Sequence, residues 1–195
     1  MNKRKIIVKI MSKEEIISKK LLLFIVLNAL ITFVVGLILL LLGYNIYFNE
    51  LFYDNEEMYL IFSIVTLLGD VSIYIIVIAV LWFGYDKKFA KNLSISLLLG
   101  GAYFNNFLKD IFQDPRPWTS RGASDYGFPS GHSQSAVCTY GYIGYEVREK
   151  NRFVAWFFVG VTYLVAISRI IIGVHDLQDI WGGLLFGMLF LTLFK

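Results

Sequence analysis

The chain carries two histidines, His132 and His175, and each sits among residues suited to an anionic ligand. His175 and Asp179 are spaced i and i+4, which on a helix places them on one face. A carboxylate at that spacing accepts the imidazole Nδ1–H. It leaves Nε2 unprotonated and aimed outward, as an oriented nucleophile or base requires. Arg169 stands shortly before, in the run Ser168-Arg169. The plainer reading of this segment is a helix-cap ion pair. His132 closes the run Pro129-Ser130-Gly131-His132. Ser130 suits an N-cap, Gly131 lets backbone approach a ligand, and free N–H groups at a helix start attract anions. An imidazole beside them can donate a proton to a leaving oxygen. The alternative is a simple capped turn with an exposed histidine.

A third segment supplies more cation. Lys109 precedes Arg116, which is held between Pro115 and Pro117. The prolines end a helix and restrict the chain around the arginine. Lys109 as a point charge and Arg116 as a planar fork could together grip one phosphate. Ordinary snorkelling at a membrane interface is the competing explanation.

These segments must be positioned by the elements around them, and composition says what those are. Hydrophobic residues make up 57% of the 195-residue chain and charged residues 17%, with mean hydropathy +0.63. A soluble domain is nearer half apolar and about a quarter charged. The apolar excess falls in runs long enough to cross a hydrocarbon core of roughly 30 Å at about 1.5 Å per residue. Leu21 to Gly43 is the clearest. It exceeds the apolar region of a signal peptide and lacks a small-x-small cleavage site, so it reads as a retained helix.

Tyr59 to Gly84 is interrupted by Gly69-Asp70, as one long tilted helix or as a short interfacial piece before a span starting near Val71. Leu93 to Phe112 follows, then Ser133 to Val147. The latter is weak by hydropathy, and its Ser133, Gln134, Ser135, Gly141 and Gly144 suit a helix enclosed by others. Phe153 to Gly173 and Leu177 to Phe194 complete six. The one cysteine, Cys138, lies among small and apolar residues and reads as a packed core thiol. The fold class expected is an all-α polytopic membrane protein, a six-helix bundle with both termini on one side. Residues 1–20 form a basic tail or an interfacial helix, and residues 21–195 form the membrane domain.

Charge orients that bundle. All basic residues except Lys109, Arg116, Arg121 and Arg169 fall in the N-terminal tail, in the loops after the second and fourth spans, or at Lys195. The loop after the first span carries Glu50, Asp54, Glu56 and Glu57 and no base. By the positive-inside rule both termini are cytoplasmic. The four remaining bases, both histidines, Asp176 and Asp179 then gather at the outer face. Charge held there against the general bias points to function. In the tail, bases alternate with Ile6, Ile7, Val8, Ile10, Ile16 and Ile17, which fits a helix lying on an anionic leaflet or a partly ordered tail.

Taken together the segments resemble the type 2 phosphatidic acid phosphatase superfamily, whose pattern is K-x6-R-P, then P-S-G-H, then S-R-x5-H-x3-D. Every position and spacing matches, from Lys109 through Arg116-Pro117 and Pro129 to His132, and on to Ser168-Arg169, His175 and Asp179. The resemblance implies that His175 attacks phosphorus and forms a phosphohistidine, that Asp179 orients it, and that His132 protonates the leaving oxygen and later deprotonates water. It implies that Lys109, Arg116 and Arg169 hold the non-bridging oxygens, with Ser130 and the Gly131 N–H adding hydrogen bonds. No metal or other cofactor is expected, because three cations supply the charge.

The expected partners are the bilayer and a lipid phosphate, and no nucleic acid. The substrate classes are a polyprenyl diphosphate, which an outer-face site favours, and a glycerolipid phosphate such as phosphatidate or phosphatidylglycerophosphate. Phosphotransfer to a lipid or glycan hydroxyl uses the same motif. A transporter or non-catalytic lipid-binding protein is the reading from another class. It is disfavoured because the charges cluster at one surface and no inverted repeat is evident. Arg121, Asp125, Asp176, Asp70 and Asn105-Asn106 read as structural. Trp118, Tyr126 and Phe128 read as headgroup-pocket or interfacial aromatics.

Overall fold

The structure is a computed structural model that describes residues 3–121 and 125–194, with side chains described from residue 22 onward. The amphipathic reading of residues 1–20 concerns side chains outside the described residues; their backbone continues the first helix from residue 3. All regular structure among the described residues is helical.

Helix α1 runs Lys3–Leu41, and a short α2 (Tyr47–Phe52) follows in the link. Helix α3 (Glu56–Val65) tightens into a 3₁₀ turn over Thr66–Gly69, and α4 (Val71–Gly84) leaves it at 45°. The Tyr59–Gly84 stretch is therefore a broken helix. The break has a local cause: Asp70 is extended, and its carboxylate caps α4 by accepting from Ser72 N–H at 2.8 Å. Helix α5 (Lys87–Ser96) passes through a π-turn at Leu97–Tyr103 into α6 (Phe104–Phe112). Gln113 ends α6 in the left-handed conformation, ahead of Pro115 and Pro117.

Helix α7 (Gly131–Ala136) continues through a second π-turn, Val137–Gly141, into α8 (Tyr142–Val147). Helices α9 (Arg152–Ile171) and α10 (Leu177–Phe194) close the chain. Among the described residues, Leu22–Leu41, Arg152–Ile171 and Leu177–Phe194 are long and apolar enough to cross a membrane. The bent pair Glu56–Gly69 and Val71–Gly84 adds a fourth candidate.

The α7–α8 segment is the centre of the bundle. Ser133, Gln134, Ala136 to Tyr140 and Tyr142 to Tyr145 are buried, Cys138 among them. Several of its polar groups are spent inside, though Thr139 Oγ1 has no partner among the described residues. Gln134 donates to Gly100 O at 2.7 Å, and Ser96 donates to Cys138 O at 2.9 Å. Asn105 donates to Gln134 Oε1 at 2.9 Å and to Pro129 O at 3.1 Å. A weakly hydropathic segment is stable in a membrane only when its neighbours satisfy it in this way. Helix α10 approaches closely because of its glycines: a Cβ on Gly183 would lie 2.6 Å from Ser130 O. The outward surface is apolar, with Leu30, Ile31, Val71, Ile75, Phe83 and Phe153 all exposed, as the lipid-facing side of an integral membrane protein requires.

Candidate active site

Four chain regions converge at one end of the bundle: the end of α6 with the link after it, the start of α7, the end of α9, and the turn into α10. His175 belongs to that turn, since α10 begins at Leu177. It therefore precedes the helix on which Asp179 sits. Helical register alone does not bring the two side chains together. The turn does so by returning the His175 N–H to Arg169 O at 3.3 Å, while Asn49 of α2 donates to His175 O at 2.8 Å. His175 Nδ1 then meets Asp179 Oδ2 at 2.8 Å, with both side chains buried.

On the other side of the ring, Arg116 Nη1 stands 3.1 Å from His175 Nε2 and donates to Val174 O at 2.7 Å. A guanidinium has only donors, so Nε2 must accept and Nδ1 must carry the proton toward Asp179. His175 is in the link outside the helices. Burial, and after it the charges of Arg116, Arg169 and Lys109, hold its pKa well below the ordinary histidine value. The imidazole is neutral, and His175 lines a cavity that Lys109, Arg116 and Arg169 also line.

That cavity has a volume of about 320 Å³. Lys109, Arg116, Gly131, His132, Arg169 and His175 all line it. Asp179 and Ser130, the other two expected site residues, do not. Asp179 stands behind His175. The hydroxyl of Ser130 is turned into the start of α7, where it accepts from Ser133 N–H at 3.5 Å and Ser133 Oγ–H at 3.1 Å. Arg169 donates through Nη1 to Thr66 Oγ1 at 2.8 Å, and its buried Nε has no partner among the described residues. A buried donor left without an acceptor is costly.

Two residues enter the site that the sequence reading had set aside or passed over. Asp125 bridges the first two cations: Oδ2 is 2.6 Å from Lys109 Nζ, and Oδ1 is 2.5 Å from Arg116 Nη2 and 3.0 Å from Arg116 Nε. Lys109 also donates to Tyr126 O. Partial burial alone would raise the Asp125 carboxyl, but the hydrogen bonds from Lys109 and Arg116 outweigh it and hold the pKa at about 2. Asn49 is the other. Fully buried, it donates to Ile170 O at 3.3 Å as well as to His175 O. Nothing in the local sequence YFNELF marks it, because its partners are far along the chain.

Asp70, Asn105 and Asn106 also line the cavity, and the remaining candidates do not. Arg121 lies over the Tyr59 ring at 4.2 Å and donates to Tyr53 O at 2.8 Å, strapping the link to α2 and α3. Trp118 packs on Tyr53, with ring centroids 5.0 Å apart, and Phe128 on Phe112 at 4.9 Å. Asp176 accepts from Asn45 Nδ2 at 2.9 Å.

Comparison with known proteins accords with this arrangement. The PAP2 superfamily pattern matches residues 89–195, more than half of the chain. Phosphatidylglycerophosphatase B of Bacillus subtilis is 32% identical over 62% of this chain and 64% of its own length. Lipid phosphate phosphatase delta of Arabidopsis thaliana is 26% identical over 72% of this chain and 38% of its own. This chain thus spans less than two thirds of these relatives. Among solved structures, the transmembrane PAP2-type phosphatidylglycerolphosphate phosphatase of Bacillus subtilis superposes with TM-score 0.67 at 23% identity, covering 89% of this chain and 94% of that one. LpxE of Aquifex aeolicus gives TM-score 0.64 at 21% identity, over 76% and 94%. At those identities the structures report a shared fold.

Proposed function

This chain belongs to the PAP2 superfamily, and on that premise we propose that it is a membrane phosphatase acting on a lipid phosphate through a phosphohistidine. One observation carries the reading: His175, fixed by Asp179 at 2.8 Å, presents an unprotonated Nε2 to a cavity lined by Lys109, Arg116 and Arg169. Nε2 attacks phosphorus in line, and the bond to the leaving oxygen breaks as His132 gives that oxygen a proton. Water, deprotonated by His132, then attacks the phosphohistidine and frees His175 and orthophosphate. The three cations neutralise the charge on the non-bridging oxygens in both steps, the service that preorganised donors or metal ions perform in phosphoryl transfer.

Six crossings are the layout this reading uses: α1, the bent α3–α4 pair, α5–α6, α7–α8, α9 and α10. Both termini are then cytoplasmic and the site faces outward, in keeping with the basic residues at one end of the bundle and the acidic link after α1. The names of the curated relatives favour a glycerolipid phosphate, phosphatidylglycerophosphate first. The outward face favours a polyprenyl diphosphate.

The test is phosphate release by purified protein in neutral detergent with excess EDTA, over phosphatidylglycerophosphate, phosphatidate, a polyprenyl diphosphate and a sphingoid phosphate. Turnover of one class that EDTA leaves intact and His175→Ala abolishes is the expected result. Full activity in His175→Ala, or dependence on a divalent ion, would overturn the mechanism.

A further inference from the structure

Asp125 holds a place that the phosphatase reading needs for something else. Its two carboxylate oxygens are divided between Lys109 and Arg116 as two oxygens of a phosphate would be. The two cations are 10% and 11% exposed in their side chains, while Asp125 is 59% exposed. The cations are thus built into the cavity wall, and the carboxylate reaches them from the solvent side.

The seat does not depend on that carboxylate for its shape. Arg116 is also held by Val174 O at 2.7 Å and by Asp125 O at 3.1 Å, and Lys109 by Tyr126 O. The loop is pinned separately, through the Gly127 N–H donating to Asp114 O at 2.8 Å. Backbone carbonyls position the cations, and one side chain occupies the space between them. Arg169 lines the same cavity, so one negative charge leaves the seat cationic.

We propose that Asp125 is a specificity-determining residue: a built-in occupant of the phosphate seat that a ligand must displace, and that only a strongly anionic head group displaces. The physical reason lies in what surrounds the site. A bilayer presents phosphodiester head groups in great excess, each with one negative charge on its phosphate. A phosphomonoester or diphosphate brings two or more. A singly charged diester gains little by exchanging with a carboxylate of equal charge, whereas a dianion gains a second interaction with Arg169 as well. Asp125 thereby keeps the seat from filling with bulk lipid. The same exchange speeds loss of product, because the carboxylate returns as orthophosphate leaves. The inference rests on the phosphatase reading for the identity of the anion.

The test is direct binding of inorganic phosphate to the purified full chain in neutral detergent, by calorimetry, for wild type, Asp125→Asn and Asp125→Glu. Asp125→Asn is expected to bind about two- to fivefold tighter, the range for losing a partly exposed ion pair, and Asp125→Glu to return toward wild type. Phosphatidylglycerol in mixed micelles is expected to compete with phosphate in Asp125→Asn and to leave wild type unaffected. Equal or weaker phosphate binding by folded Asp125→Asn overturns the proposal, as does the absence of binding in every variant. If Asp125→Asn fails to fold, Asp125→Ser carries the same measurement. Wild type that binds phosphate yet releases none from any lipid would defeat the phosphatase reading while the comparison of variants still decides this one.

Discussion

Arg116 Nη1 and His175 Nε2 lie 3.1 Å apart, which puts an obligate donor against the nitrogen proposed as nucleophile. The contact settles the tautomer, because a guanidinium cannot accept. It also means the lone pair is engaged in the free protein. On the proposed mechanism, an arriving phosphate, with several oxygens for the guanidinium to bind, would draw Arg116 off Nε2 and free the lone pair.

His175 is expected to titrate well below the about 6.5 of a free histidine, because burial and neighbouring cations both disfavour imidazolium. The sign for stability follows. The unfolded chain takes up a proton on this histidine near 6.5 and the folded chain does not, so stability held above that pH is lost as pH falls below it. Following the ¹⁵N imidazole shifts against pH reads this without turnover. A midpoint at 6.5 would refute it, and Arg116→Gln should move the midpoint upward.

Removal of His132 should cost about 10²–10⁴-fold in turnover of an alkyl phosphate, the usual contribution of a general acid. The loss should be much smaller in the first-turnover release of an aryl alcohol from an aryl phosphate, whose leaving oxygen needs no proton. With that substrate, His132→Ala should also accumulate an acid-labile, alkali-stable phosphoprotein that is absent from the His132→Ala/His175→Ala double variant. An equal loss in that first turnover would remove His132 from the acid role.

Asn49→Ala should weaken catalysis without touching a reacting atom. It leaves the buried carbonyls of Ile170 and His175 without their donor, at a cost of about 1–3 kcal/mol in stability. Displacement of the turn should lower kcat on the order of 10- to 100-fold. KM should rise as well, since Arg116 is held by Val174 O on the same turn. A rise in KM with kcat preserved would count against this role.

Gly127→Ala tests the ground behind the histidine. A Cβ there would lie 2.9 Å from Asp179 Oδ2 and 3.1 Å from Pro115 O, closer than real Cβ atoms comfortably come. Asp179 would have to shift, and its hold on His175 Nδ1 with it. Turnover should fall in a protein that still folds and elutes normally, whereas unchanged kcat would show that the carboxylate has room to spare.

By itself the sequence determined the family and the all-helical class of fold. Residue types and spacings named His132, His175, Asp179 and the three cations, because each motif is local and its spacing survives in one dimension. Apolar runs and prolines marked the helices, since the bilayer demands long continuous ones. Tertiary structure decided what depends on distant partners. The break at Asp70 is a cap that could be read either way until the helices were seen to diverge. Ser130 proved to be turned into its own helix by Ser133. Asn49 meets His175 from far along the chain, and Asp125 bridges Lys109 and Arg116, which the spacing of the three does not reveal. Spacing encodes what a helix or turn brings together. Nothing in spacing encodes which side chain a loop lays across a site, since that is set by packing among segments that are not neighbours in the chain.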